Sequence, residues 1–379
     1  MVQVASFCLA AFYSAVWWRR WARAAPDKRS RTWKKHGLFC GLLLAGSVAG
    51  AIAWGAQMAA ASLIYQTRAD TGNVITPQDS HAISAIAYRL DAAFRIFYGA
   101  EFVSLGAAKM LLLVRLASIA SRSTRLQDSG PRHSSNTVSD MFARVMMHRR
   151  VMPATYRAVT AAAAAAMAAS VVAHAAVGGL NIHRAWLKEG AASSCNSTGG
   201  DTAASLQLNE RADSVGRDAR TAVSLQLGGE ALALLLLAVD FFVVTTWNLA
   251  LYRLAESVGR MALLAAAQNR HLVADAKLVD AVAGKMEAAA QLRRRLTVSC
   301  LLILVAFPIQ ASFDFLKAYS TFNVPLRNVQ CAPCDPCQSE AFLINEWFNH
   351  TPEFQPVVVV FSAPLPLVLS LWQLNKAQA

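Results

Sequence analysis

Residues 82–115 read AISAIAYRLDAAFRIFYGAEFVSLGAAKMLLLVR, an apolar run that carries charge at both ends and in its middle. The charges inside the run are Arg89, Asp91, Arg95, Glu101 and Lys109. An ionisable side chain within a membrane is costly, and it normally faces a bundle interior, a partner charge or a water-filled cavity. The run therefore predicts a membrane-spanning helix that is enclosed by other helices.

The composition of the whole chain indicates a membrane protein. Of its 379 residues, 55% are hydrophobic and 16% are charged, against about 25% charged residues in soluble domains. The formal net charge of +13 would suggest nucleic-acid binding only if the basic residues formed a patch on a soluble domain. They lie between apolar segments instead, so we expect membrane lipids as partners and no nucleic acid.

The apolar segments predict an all-α polytopic fold, a single seven-transmembrane helix bundle over residues 1–379, because a bilayer needs about 20 apolar residues per helix. The predicted spans cover residues 2–18, 37–65, 82–115, 159–180, 227–252, 296–316 and 354–372. The second span carries glycines at the small-xxx-small spacing that lets helices approach closely, namely Gly37, Gly41, Gly46 and Gly50.

The polar connections fall into two kinds. Residues 253–295 lack proline and have apolar positions between charges, which predicts a helical loop that extends spans five and six. Residues 181–222 and 317–353 are expected to be loops. After Asp201 the apolar residues recur at near-helical spacing, so a helix running into the fifth span is expected there.

Two signals orient the bundle. The connections 19–36, 115–157 and 253–295 hold eight Lys or Arg each, while the three opposite connections hold eight together. Since positive residues collect on the cytoplasmic side, the N-terminus is predicted outside and the C-terminus in the cytoplasm. The glycosylation acceptors Asn196 and Asn349 both fall in connections assigned outside.

Four cysteines share those outer connections, namely Cys195, Cys331, Cys334 and Cys337. Disulfides persist in oxidising compartments, so we expect one bridge from Cys195 to the other three and one bridge among those three. The CxxCxxC spacing also suits a metal or iron–sulfur site, but the oxidising side and the even number favour disulfides. No metal or cofactor is therefore expected, and the predicted location is the plasma membrane or a secretory-pathway membrane of a eukaryote.

Charged residues within the spans are the candidate ligand or ion contacts. Asp91 and Arg95 are spaced i,i+4 and can pair. Glu101 and Lys109 share a side of their helix, and the candidate neighbours of Glu101 from other spans are Asp240, His174 and Gln310. A purely structural polar network among these groups is the alternative.

The layout resembles that of G-protein-coupled receptors, since it combines seven spans, an outside N-terminus, a long second outer connection and Pro308 in the sixth span. The resemblance implies an extracytoplasmic ligand pocket. The local sequence departs from that family: span three ends Leu-Val-Arg-Leu at 113–116, span seven ends Pro-Leu-Pro-Leu at 364–367, and no cysteine begins span three.

Three functions follow as alternatives, and an enzyme is not expected because no GxSxG, HExxH or Walker loop is present. The first is a receptor-like protein that senses an extracytoplasmic ligand and signals through a partner at the basic 253–295 loop. The second is an ion channel or small-solute transporter whose path is lined by charged residues of spans three and five. The third is a structural or scaffolding membrane protein. A homo-oligomer is compatible with each.

Overall fold

A computed structural model describes residues 2–23, 31–69, 77–128, 136–196, 202–268 and 301–322, together with 298, 358, 365–366 and 368–369. Every described residue is helical, which confirms the all-α class. The helices are α1 Val2–Arg23, α2 Arg31–Ala69, α3 Pro77–Asp128, α4 Asn136–Asn196, α5 Thr202–Gln268 and α6 Leu301–Phe322.

Five of the described helices are long and apolar enough to cross a membrane. The spanning stretches are Gly37–Leu63, His81–Val114, Arg157–Ser194, Ala203–Thr246 and Leu301–Phe322. The chain is therefore an integral membrane protein in contact with lipid. Helix α1, the first predicted span, is not among these five, and most of the seventh predicted span, 354–372, lies outside the described residues. The count of seven spans is not confirmed.

Three helices are much longer than a bilayer is thick. Helices α3, α4 and α5 have 52, 61 and 67 residues, and 67 residues of helix extend about 100 Å against a hydrocarbon core of about 30 Å. Residues 181–222, expected to be a loop, are almost entirely helical, because α4 continues to Asn196 and α5 begins at Thr202. The helix expected after Asp201 is confirmed.

The reason for this extension is that α4 and α5 pack on each other as an antiparallel pair along their length. Thr160 contacts Asp240, Ser170 contacts Glu230, and Lys188 contacts Asp213, so the position on α5 falls steadily as the position on α4 rises. A polar helix that has a partner helix can remain ordered beyond the apolar layer, since most helical stability comes from tertiary packing. Periodicity within one segment does not reveal such a partner.

The glycines of α2 allow close approach on both sides, as the small-xxx-small pattern predicted. A Cβ at Gly41 would lie 2.5 Å from the Trp18 ring of α1, and one at Gly46 would lie 2.7 Å from Leu105 of α3. A Cβ at Gly50 would lie 2.7 Å from Phe7 and 3.0 Å from Oε2 of Glu101. Helix α2 thus separates α1 from α3 and brings its backbone against the Glu101 carboxylate.

Candidate functional site

Two small cavities lie inside the bundle beside α3, each of about 20 Å³, which is room for about one water molecule where the walls are polar. The first, here called the Glu101 cavity, is lined by Tyr98, Glu101, Phe102, Leu105, Gly106, Lys109, Met167, Leu234, Leu237 and Gln310. The second, the Asp314 cavity, is lined by Phe94, Arg95, Tyr98, Leu227, Gln310, Phe313, Asp314, Lys317 and Val358. The two cavities adjoin, because Tyr98 and Gln310 line both.

Helix α3 contributes a polar stripe to these cavities. Residues 95, 98, 101, 105 and 109 follow each other by three or four positions, so they share one face of the helix. Glu101 and Lys109 are both buried. The Lys109 ammonium lies 4.5 Å from the centre of the Phe307 ring, so it is enclosed by the bundle and does not extend toward a membrane surface.

Helix α6 contributes a second polar stripe, which sequence reasoning largely missed. Gln310 was predicted as a site residue, but Asp314 and Lys317 were not. The three are spaced by four and three positions in an otherwise apolar helix, and all three line the Asp314 cavity. The spacing was therefore a readable signal, since polar residues at i, i+4 and i+7 of an apolar helix indicate a polar face directed into a bundle.

Between α4 and α5 lies a buried histidine–glutamate pair. His174 Nε2 is 2.6 Å from Glu230 Oε1, and the two side chains are 2% and 0% exposed. The same Oε1 accepts hydrogen bonds from Gln226 Nε2 at 3.1 Å and from Ser170 Oγ at 3.3 Å. His174 had been considered as a neighbour of Glu101, whereas Glu230 had not been proposed as a site residue.

The aromatic ring of Tyr98 connects this pair to the cavities. Its centroid is 5.4 Å from that of His174, and Tyr98 lines both cavities. The contact depends on Gly99, because a Cβ there would lie 2.9 Å from Cβ and Cγ of His174. The absence of a side chain at Gly99 thus lets the imidazole approach α3.

Both acidic and basic groups surround the cavities and the pair. Three buried acids, Glu101, Glu230 and Asp314, act electrostatically on one another and on nearby bases. The bases in the same region are Arg95, Lys109 and Lys317. With His174 neutral, the formal charges of these six groups cancel.

Several buried oxygen atoms in this region have no hydrogen-bond partner among the described residues. They are Oε2 of Glu101, Oε1 of Gln310, Oδ2 of Asp314 and Oε2 of Glu230. Burying a polar atom without a partner is costly, and such atoms in a native fold call for an explanation. Glu101, Gln310 and Asp314 line the water-sized cavities, whereas Glu230 does not.

The remaining predicted site residues lie apart from the Glu101 cavity. Asp240 is buried and accepts a 2.9 Å hydrogen bond from Thr160 through Oδ2. It lies ten residues, or about 15 Å of helix, beyond Glu230 on α5. The predicted i,i+4 pairing of Asp91 with Arg95 is observed at 3.8 Å, and Asp91 also accepts a 2.6 Å bond from Asn181. Of these two, only Arg95 lines a cavity.

A second charged region, here called the polar end, is formed by residues 88–89 of α3, 184–189 of α4 and 209–213 of α5. Its members are Tyr88, Arg89, Arg184, Lys188, Glu189, Asn209 and Asp213. Arg89 pairs with Glu189 at 2.6 Å, and Asp213 pairs with Arg184 and Lys188 at 3.7 and 3.8 Å. The Arg184 guanidinium also stacks 4.1 Å from the Tyr88 ring.

The described side chains include no group of three or more His, Cys, Asp or Glu that could hold a metal ion. The predicted disulfide cysteines Cys195, Cys331, Cys334 and Cys337 and the acceptors Asn196 and Asn349 lie outside the described side chains. Comparison with protein-family models, curated proteins and solved structures found no match.

Proposed function

We propose that the protein is a membrane transport protein that moves a small ion through the bundle interior, along the polar faces of α3 and α6. The observation that carries this proposal is the pair of adjoining cavities, which are surrounded by buried ionisable groups of several helices. Ionisable residues within spans commonly mark ion pathways and proton relays.

The size of the cavities favours a small ion over an organic solute. A cavity of about 20 Å³ has room for about one water, whereas sites for organic ligands occupy about 300–1,000 Å³. The distance along α3 from Arg95 to Lys109 is 14 residues, or about 21 Å. The polar face therefore covers about two thirds of a hydrocarbon core of about 30 Å.

The finer topology belongs to this proposal too. We propose seven spans with the N-terminus outside, supported by the distribution of Lys and Arg between connections. That orientation places Asp91 and Arg95 near the outer mouth of the path and Lys109 nearer the cytoplasm. Glycosylation at Asn196 and Asn349, disulfides among the outer cysteines, and a eukaryotic plasma or secretory membrane remain predictions. So does a receptor-like role with a partner at 253–295.

The test is ion flux in vesicles that contain the purified protein, compared with protein-free vesicles. Proton, sodium and potassium movement are measured with ion-selective dyes for the wild type and for Glu101→Gln and Asp314→Asn. Both substitutions keep side-chain shape and remove the ionisable group, so each is expected to lower the flux by at least about tenfold if the group transfers or positions the ion.

The matched control is Glu210→Gln, which makes the same change at an exposed position of α5 and is expected to leave the flux unchanged. Wild-type protein that moves none of the three ions contradicts the proposal. Flux that both cavity substitutions leave intact contradicts the assigned path.

A further inference from the structure

We propose that the ion is a proton and that the His174–Glu230 pair binds it beside the path. This inference rests on the proposed function and adds to it both the identity of the ion and a binding site. The two side chains of the pair lie 2.6 Å apart in the bundle interior, and neither residue is among those that line the two cavities.

The distribution of bases argues against a metal cation. Each cavity has an acid and at least one base in its wall: Glu101 with Lys109 in one, and Asp314 with Lys317 and Arg95 in the other. A sodium or potassium ion beside an ammonium group is repelled, and that repulsion is strong where the surroundings are apolar. A proton needs no coordination shell, and acids, bases and single water molecules all accept and release it.

The geometry of the pair suits reversible proton binding. Glu230 Oε1 lies 2.6 Å from His174 Nε2 and accepts hydrogen bonds from Ser170 and Gln226, while Oε2 has no hydrogen-bond partner among the described residues. Both ring nitrogens of His174 are buried, and neither forms an aligned hydrogen bond in that part of the chain. Histidine is the side chain whose unperturbed charge change falls nearest neutral pH. The pair thus has two further positions, Nδ1 and Oε2, at which a proton can arrive or leave.

The proton step is a simple transfer. When a proton has reached Nδ1 and the imidazolium ring turns so that its Nε2–H bond points at Oε1 of Glu230, that Nε2 proton can pass to the carboxylate, which breaks the N–H bond and forms an O–H bond. The charged pair becomes a neutral pair, and no other reactant is required. The reverse transfer restores the carboxylate.

Charged and polar groups of two neighbouring helices act on the pair. Helix α3 presents Tyr98 and Glu101, and α6 presents Asp314 and Lys317, all of which interact electrostatically with Glu230. Helix α2 presents the uncharged Trp54, whose ring lies 6.1 Å from that of Tyr98. A proton bound at the pair therefore reduces the negative charge that Glu101 and Asp314 experience, which couples the pair to both cavities.

The first experiment measures proton, sodium and potassium movement into vesicles that contain the full chain, with His174→Gln and Glu230→Gln compared against the wild type. Gln is neutral and retains hydrogen-bonding groups. The expected result is proton movement that needs neither sodium nor potassium and that falls by at least about tenfold in each variant. The matched controls, His183→Gln on α4 and Glu210→Gln on α5, change exposed residues and should retain the wild-type rate.

The second experiment does not depend on transport. Infrared difference spectra of the purified protein in lipid nanodiscs are recorded across a pH step, and a carboxyl protonation signal is expected that Glu230→Gln removes and His174→Gln shifts. This readout applies to any variant that retains its helical circular dichroism.

The outcomes separate the two proposals. Sodium or potassium movement without proton movement overturns the inference and leaves the proposed function standing. Wild-type protein that moves no ion overturns both. Proton movement that both pair variants leave unchanged, or a spectrum that Glu230→Gln does not alter, overturns the role of the pair.

Discussion

The protein contains two ionic regions that differ in what surrounds them. At the polar end, Arg89 and Glu189 are 50% and 41% exposed and already form a close pair. Asp213 is also exposed, and it lies 3.7 Å from Arg184 and 3.8 Å from the buried Lys188. Around the cavities, Glu101, Lys109 and Asp314 are buried, Arg95 and Lys317 are half-buried, and several carboxylate oxygens lack partners among the described residues.

We interpret that difference as a structural role for the polar end and, under the proposed function, a transport role for the groups around the cavities. Exposed ion pairs are worth about 0–1 kcal/mol, and those at the polar end serve to align α3, α4 and α5. A buried ionisable group is expensive unless it is paired, and partially satisfied groups beside a cavity are a typical mark of a functional site. The three predictions below test this contrast.

The largest effect is expected from Lys109→Met. The lysine acts electrostatically on Glu101 and Asp314, so its loss leaves both acids short of a counter-charge within the bundle. Removing one partner of a buried pair typically costs about 3–5 kcal/mol, and a loss of about 3 kcal/mol in the free energy of unfolding is expected. Denaturant unfolding of the detergent-solubilised protein measures it.

The double variant Lys109→Met with Glu101→Met is the control for that prediction. Because it removes both charges, it should recover most of the lost stability, although ion movement should not return. A single Lys109→Met variant within about 1 kcal/mol of the wild type would mean that the interior charges behave like the exposed ones.

An intermediate effect is expected from Gly99→Ala. The new Cβ would lie 2.9 Å from two carbon atoms of His174, and overpacking of this kind costs about 1–3 kcal/mol. Ion movement should fall with stability, because the imidazole must shift from its present position beside Glu230. Thermal unfolding and vesicle flux together measure both effects.

Gly229→Ala is the matched control, since no atom lies within 4 Å of its Cβ position. Alanine stabilises a helix relative to glycine by roughly 0.5–1 kcal/mol, so this variant should be neutral or slightly more stable. Equal behaviour of the two variants would show that the α3–α4 contact at His174 is loose.

The smallest effect is expected from Arg89→Gln at the polar end. Loss of the exposed pair with Glu189 should lower the free energy of unfolding by about 1 kcal/mol at most, and high salt should reduce the difference further. Ion movement should be unchanged. A double-mutant cycle with Glu189→Gln isolates the pair, and a coupling well above that limit would remove the contrast between the two regions.

The sequence predicted that α3 is enclosed by other helices, because an ionisable side chain in an apolar span is costly unless it faces the interior of the bundle. Glu101 was placed inside the bundle on that argument alone, whereas Lys109 was expected nearer the cytoplasm, with its side chain extending to the inner membrane surface as an option. Gln310 was named as a neighbour of Glu101, and the structure brings it beside both residues. Asp240 was grouped with them because it also interrupts an apolar run. The sequence of one span does not show which residues of the neighbouring helices lie at the same level along the bundle axis. For Asp240 and Glu230 that level is set by the antiparallel register of α4 and α5.

Other parts of the site needed the structure. Asp314 and Lys317 lie at the end of the predicted sixth span, where charged residues normally indicate that the span has ended and a loop begins. The structure shows that α6 continues to Phe322. Residues 181–222 were predicted to be a loop because they are polar, as solvent-exposed loops are. Their helical structure follows from the packing of α4 against α5, which the sequence does not show. Glu230 was visible near the start of span five, but its partner His174 lies 56 positions away.

If protons move along α3 as proposed, the alignment of ionisable groups on that helix would also make the transfer responsive to voltage. Moving one elementary charge across a membrane changes its energy by about 2.3 kcal/mol per 100 mV. A proton carried from the height of Arg95 to that of Lys109 would cross about two thirds of the hydrocarbon core, and thus about 1.5 kcal/mol of that difference. The resting potential of a cell would then set a direction for transfer along this face, even where the pH on the two sides is equal.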